Sequence, residues 1–193
     1  MDKAMKFIRK NLSNILFIGF IIFLFTPYGL PVRATLIKGV SMITTRVFSL
    51  EVDTEDQVNL DNYNWQLRDL DGKITNMQIF QDQVVVVNFW ATWCPPCVAE
   101  MPSFQKLYDA YGDKVIFLFV ANDEEEKVLK FLKKKGYEIP VFFQASRVPD
   151  ALSSNSLPTT YILDKEGKIV VNQIGAVDWN SGRVRELLDT LIQ

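Results

Sequence analysis

Val84-Val85-Val86-Val87-Asn88-Phe89-Trp90-Ala91-Thr92-Trp93-Cys94-Pro95-Pro96-Cys97 decides the fold of this chain. Its first seven residues are a short, continuous run of β-branched and aromatic side chains, the pattern of a strand buried on both faces. Two cysteines follow at a spacing of three. Pro95 and Pro96 stand where a helix can begin, because the N–H groups they lack would have no intrahelical partner there anyway. The pattern predicts a helix from Pro96 to Tyr111 directly after the strand. A thiol at such a helix start meets unpaired backbone N–H groups and the positive end of the dipole, and both favour the thiolate, the reactive form. Cys94 is therefore the expected nucleophile. Cys97, one turn further in and more buried, is the expected resolving thiol of a dithiol–disulfide pair. The alternative is a pair of core thiols or an inert structural disulfide, which a strand–helix junction behind an aromatic strand disfavours.

The rest of the chain alternates in the same way from about Asn59 onward. Val115 to Val120 is a second strand-like run, and Tyr161-Ile162-Leu163 and Lys168 to Ile174 read as paired strands joined by the turn Asp164-Lys165-Glu166-Gly167. Glu124 to Lys135 carries Val128, Leu129, Phe131 and Leu132 on one side of a helix. Val184, Leu187, Leu188, Leu191 and Ile192 keep helical spacing at the end. This predicts an α/β domain over residues 59–193. Glu124 to Glu126 and Lys133 to Lys135 suit the dipole of their helix and read as a solvated face rather than a binding patch.

From Asn11 to Val32 no residue is charged, and Ile15 to Phe25 is almost wholly aliphatic or aromatic. Leu12 to Leu30 would run roughly 28 Å as a helix, close to the thickness of the hydrocarbon layer. Lys3, Lys6, Arg9 and Lys10 precede it and outweigh Asp2, so this flank is expected in the cytoplasm. Arg33, Lys38 and Arg46 beyond the run weaken that asymmetry. Residues 1–34 thus read as a cytoplasmic flank with a single transmembrane anchor, and residues 35–58, acidic towards their end, as a tether. The competing reading is a cleavable signal peptide with Val32-Arg33-Ala34 near its site; the length of the apolar run and the Arg favour the anchor.

Composition excludes several function classes. The chain has 193 residues, 48% of them hydrophobic, enough for one ordinary domain with a real core. Lys and Arg number 21 against 23 Asp and Glu, which argues against a basic surface for nucleic acid. Histidine is absent, which removes Ser-His and Cys-His nucleophile pairs, imidazole metal sites and covalent haem attachment. Two cysteines alone cannot close a tetrahedral zinc site.

Asn88 to Cys97, then Glu100-Met101-Pro102, then Leu157-Pro158-Thr159-Thr160-Tyr161-Ile162-Leu163-Asp164-Lys165-Glu166-Gly167, closely resemble the membrane-anchored thioredoxin-like reductases of the TlpA/ResA type. Several motifs recur in order over the later part of the chain. The resemblance implies a thioredoxin-like fold, a central mixed sheet with helices on both faces. It implies a catalytic domain on the extracytoplasmic side of the cytoplasmic membrane, acting on disulfides of exported proteins and, in some members, on apocytochrome c before haem attachment. No bound cofactor is implied, and electrons must come from a membrane or extracytoplasmic dithiol protein.

The same resemblance assigns roles to single residues. Pro158 matches the cis-proline that faces the disulfide, and with Leu157 and Trp93 it is the expected substrate contact; a turn proline would also account for it. Glu100 matches the acid near the buried cysteine. Three residues after Cys97, it shares a side of the helix with that thiol and could exchange a proton with it, although the dipole alone favours an acid so early in a helix. Pro102 matches a helix-kinking proline. Asn88 stands where cytosolic thioredoxins carry a buried Asp, which shifts the acid role towards Glu100. With no His between the cysteines and no N–H on Pro96, the thiolate is only modestly stabilised and the pair leans reducing. The reading is a membrane-tethered thiol-disulfide oxidoreductase acting as a reductase. Its alternatives are an oxidase or isomerase, a peroxidase, whose Thr-x-x-Cys setting is not found, and an anchored non-catalytic binding module.

Overall fold

The computed structural model describes residues 58–193 together with Gly19, Phe23 and Thr26. Apart from those three positions and Val58, the expected anchor in residues 1–34 and tether in residues 35–58 lie outside the described residues. Among the described residues, no helix is long and apolar enough to cross a membrane.

The run of valines with Asn88-Phe89-Trp90 becomes β3 (Val85–Trp90), buried at every position. It pairs in parallel with β4 (Ile116–Ala121) on one side and antiparallel with β6 (Thr159–Leu163) on the other. Beyond β4 lies β5 (Val141–Gln144), then the hairpin of β1 (Gln66–Asp69) and β2 (Ile74–Asn76). Beyond β6 lies β7 (Ile169–Ile174), giving a seven-stranded mixed sheet in the order β2-β1-β5-β4-β3-β6-β7. The β6–β7 hairpin expected from the Asp164-Lys165-Glu166-Gly167 turn is present. Gly167 takes a positive φ of 80°, and a Cβ there would collide with the Tyr63 hydroxyl, so the turn requires glycine on two grounds.

Three helices complete the domain: α1 (Pro95–Tyr111), α2 (Glu125–Lys135) and α3 (Gly182–Ile192). Their buried residues, among them Met101, Phe104, Val128, Leu132, Val184 and Leu188, join Val86, Trp90, Phe117 and Phe119 in one hydrophobic cluster. The alternate strand residues Val85, Val87, Phe89, Leu118 and Val120 point the other way, into a second cluster with Leu60, Trp65, Met77 and Leu152. Among the described residues, that second face carries two short 3-10 helices, Met77–Phe80 and Asp150–Leu152, besides the Leu60 to Trp65 segment. The expected helices on both faces are met on this side by those 3-10 helices alone; among the described residues, the three α-helices of the domain share the other face. The reason is topological. Successive right-handed crossovers from β3 to β4 to β5 move along the sheet in one direction, and so leave α1 and α2 on the same side.

The register brings three chain ends to one edge. Trp90 at the end of β3 pairs with Ala121 at the end of β4, while Phe89 pairs with Thr159 at the start of the antiparallel β6. The segments leaving β3 and β4 and the segment entering β6 therefore meet there. They carry Cys94, Asn122 and Leu157-Pro158.

Candidate active site

Cys94 is the N-cap of α1, with extended backbone (φ −91°, ψ 104°), and its Sγ accepts the backbone N–H of Cys97 at 3.3 Å. Pro95 and Pro96 fill the first helical positions, where no donor is missed. The two cysteines are joined as a disulfide with their Cα atoms 5.3 Å apart. Cys94 is 4% exposed and Cys97 fully enclosed, so both are buried and the outer one shows only a small surface.

The loop before Cys94 is held from β4. Asp123 accepts hydrogen bonds from both the backbone N–H and the hydroxyl of Thr92, and from the N–H of Glu124. Burial pushes its carboxyl up, but the bonds from Thr92 and Glu124 outweigh that and hold it below the usual carboxylate range. Asn122 donates its N–H to the Trp90 carbonyl at 2.8 Å and continues the strand pairing to the edge of the site.

A groove of about 480 Å³ opens beside the disulfide, lined by Trp93, Cys94, Pro95, Pro96 and Leu157 and walled by Asn122 and Ser154 to Ser156. None of these side chains is charged. Trp93 is 63% exposed, an unusual position for the largest apolar side chain. The Leu157–Pro158 bond is cis. Leu157 lines the groove, whereas Pro158 is buried just behind it and gives its carbonyl to the N–H of Gly175 at 2.9 Å. The structure thus gathers Trp93, Cys94 and Leu157 at the groove, and sets Pro158, Cys97 and Glu100 in the layer behind.

Glu100 is 2% exposed on the buried side of α1, one turn after Cys97. Asn88 of β3 donates Nδ2 to Oε1 at 3.0 Å, and Trp179, in the loop before α3, donates Nε1 to Oε2 at 2.9 Å. Burial pushes the carboxyl up to about 8, and the bonds from Trp179, Asn88 and the backbone of Val177 only partly offset it. An acid with that affinity can hold or release a proton near neutral pH, which an exposed glutamate cannot.

Sequence reasoning misses Trp179, Thr160, whose hydroxyl accepts from Asn88 Nδ2 at 2.9 Å, and the polar wall of Ser154 to Ser156. Trp179 lies 79 positions from its partner, so no local spacing links them; its only signal is a tryptophan in a polar stretch ahead of a helix.

Residues 53–191 match the Redoxin family. The chain is 33% identical over 122 residues to a thiol-disulfide oxidoreductase ResA of Bacillus cereus, covering 62% of this chain and 70% of the relative. Among solved structures, the exposed lipoprotein thioredoxin Etrx1 of Streptococcus pneumoniae superposes with a TM-score of 0.55 at 26% identity, covering 65% of this chain and 98% of that one. A DsbF homologue from Corynebacterium diphtheriae superposes with a TM-score of 0.59 at 19% identity, over 73% of this chain and 91% of that one, a likeness of fold. With the cysteine pair at the head of α1 and these matches over most of the described domain, the chain belongs to the Redoxin family and is a ResA/TlpA-like thiol-disulfide oxidoreductase of the thioredoxin type.

Proposed function

We propose that this oxidoreductase works as a reductase of disulfides in exported proteins, apocytochrome c being one candidate substrate, from a domain tethered outside the cytoplasmic membrane. The observation that carries the chemistry is the placement of Cys94 at a helix N-terminus beside an uncharged groove, with the enclosed Cys97 and the protonatable Glu100 behind it. In the reduced protein the Cys94 thiolate attacks a substrate disulfide, forms a mixed disulfide and expels one substrate thiolate. Glu100, in its ionised form, whose share grows as pH approaches about 8, accepts the Cys97 proton. Cys97 then attacks Cys94 Sγ and releases the second substrate thiolate, so that two electrons have passed to the substrate and Cys94–Cys97 is oxidised. A dithiol donor reverses the sequence and restores the thiols. Trp93 and Leu157 contact the substrate beside the reacting sulfur, and Pro158 supports that wall from behind.

The location rests on the uncharged run from Asn11 to Val32 with its basic flank, and on the name of the pneumococcal neighbour as an exposed lipoprotein. It is tested by carbonate washing of membranes and by protease treatment of intact cells stripped of their outer layers. The protein is expected to stay with the membrane and its catalytic domain to be cut from outside. Recovery as a soluble species beginning near Thr35 would replace the anchor with a signal peptide, and protection from external protease would overturn the extracytoplasmic assignment.

A further inference from the structure

The Glu100 carboxyl is gripped at both oxygens by groups of different kinds. Trp179 Nε1–H is a donor and nothing else, whereas the Asn88 amide has a donor end and an acceptor end. Trp179 is also the more rigidly placed. Its ring is fully buried and stacked on Phe104 at 5.0 Å and 14°, and its backbone N–H donates to Ser103 Oγ, which in turn donates to the Glu100 carbonyl.

Asn88 is placed differently. Its Nδ2 serves Glu100 Oε1 and Thr160 Oγ1 together, at 3.0 and 2.9 Å, while its Oδ1 is buried without a partner. This arrangement suits an ionised carboxylate. With a proton on Oε1, two hydrogens would face each other, and a half-turn of the amide removes the conflict. Oδ1 then accepts from the Glu100 O–H, and the Thr160 hydroxyl, which can donate or accept, donates to the same oxygen. One end of the amide lacks a partner in either orientation, so what distinguishes the two is the bond to Glu100, which depends on its proton. Resting on the reading that Glu100 handles the Cys97 proton, we infer that Asn88 and Trp179 are positioning residues for it: Trp179 keeps Oε2 as a permanent acceptor, the proton resides on Oε1, and the Asn88 amide turns over with it.

The groups around the carboxyl are few. The strand side offers Asn88 and Thr160, both neutral. Its own helix offers Cys97, which is in the disulfide, and the loop before α3 offers Trp179 and the backbone of Val177. Asp178 beside Trp179 accepts the backbone N–H of Asn180. Among the described residues, no neighbouring charge enters the proton balance of Glu100.

The test is a pH titration of the oxidised full-length protein in detergent, labelled with ¹³C at glutamate carboxyls and ¹⁵N at asparagine side chains. As pH falls, the Asn88 amide protons are expected to lose the downfield shift of a carboxylate-bonded donor, with the same midpoint as the Glu100 carboxyl. In E100Q the Asn88 amide is expected to be constant with pH. In W179F both midpoints move upward together by about one pH unit, because the anion loses a donor that the neutral acid needs less. Asn88 signals that stay flat while Glu100 titrates would overturn the inference, and that wild-type measurement depends on no variant. An unmoved midpoint in W179F would overturn it as well. If the titrations behave as expected but E100Q leaves the pH–rate profile of disulfide reduction unchanged, the clamp stands and the catalytic reading of Glu100 falls.

Discussion

Cys94→Ser abolishes turnover of protein disulfides, by at least about 10³-fold, whereas Cys97→Ser yields a protein that reacts once and stops. The asymmetry follows from position. Cys94 caps α1 at the wall of the groove, its Sγ accepts the Cys97 N–H, and it is the cysteine with any surface at all. Cys97 lies wholly inside, reachable by Cys94 Sγ but by no substrate sulfur. Without Cys97 the mixed disulfide on Cys94 has no internal attacker, so it persists and can be isolated with its partner. Alkylation of the reduced wild-type protein at neutral pH is the companion measurement, with Cys94 labelled much faster than Cys97. Mass analysis of species captured on C97S identifies the substrates, which are expected to be exported proteins. Equal labelling, or mixed disulfides that accumulate on C94S instead, would reverse the two roles.

The stability of the oxidised protein is expected to fall as pH rises from the ordinary glutamate range to about 8, and this slope is expected to vanish in E100Q. In the folded protein Glu100 keeps its proton up to about 8, whereas in the unfolded chain it ionises near the ordinary glutamate value of 4.5. Between those values the native state binds more protons than the unfolded state, so each rise in pH favours unfolding. The contribution is fully present below the unfolded pKa and is lost through the folded one, a change on the order of 5 kcal/mol across the interval. Glutamine suits the site because it copies the protonated acid. Its carbonyl can accept from Trp179 while its NH₂ faces the turned Asn88 Oδ1. E100Q should therefore fold, be more stable than wild type above about pH 8, and reduce disulfides more slowly, since an amide cannot take the Cys97 proton. Urea unfolding at several pH values checks the first part, and parallel slopes for wild type and E100Q would contradict it.

The parts of the fold that could be read from the sequence are those whose local chemistry is unambiguous. β3 is a continuous buried run and α1 starts at a proline pair. α2 carries acids at its head, lysines at its tail and Gly136 in the left-handed conformation just beyond, and β6–β7 turns on Gly167. β1 and β2 escaped because Gln-Leu-Arg-Asp and Ile-Thr-Asn are short, largely polar strands with no period to detect. β5 is only four residues long and follows a proline, so its three apolar residues, Val141, Phe142 and Phe143, could belong to almost any element. The sidedness of the helices depends on strand order, which periodicity does not encode.

The site divides in the same way. Cys94, Cys97 and Glu100 share one helix and one spacing rule, so the chain itself displays their relation. The groove and the grip on Glu100 are assembled from β3, the loop after β4, the segment before β6 and the loop before α3, and those meetings exist only after folding. Asn88 stands out in the sequence as a departure from the buried Asp of cytosolic thioredoxins. Its bond to Glu100 gives that departure a physical meaning: an amide can serve both protonation states of one acid, where a second carboxyl beside it would compete for the proton.

The direction of electron flow is the central claim, and equilibration of the Cys94–Cys97 pair with graded dithiothreitol or glutathione buffers tests it most directly. The Cys94 sulfur has one backbone donor, from Cys97, while Pro96 supplies none, and the chain has no histidine to place a cation between the cysteines. A thiolate so modestly supported leaves the reduced form without the stabilisation that makes strong oxidants. The expected reduction potential lies below about −200 mV, on the thioredoxin side of the range. A value near about −120 mV, that of a dedicated disulfide donor, would contradict the account and make the protein an oxidase.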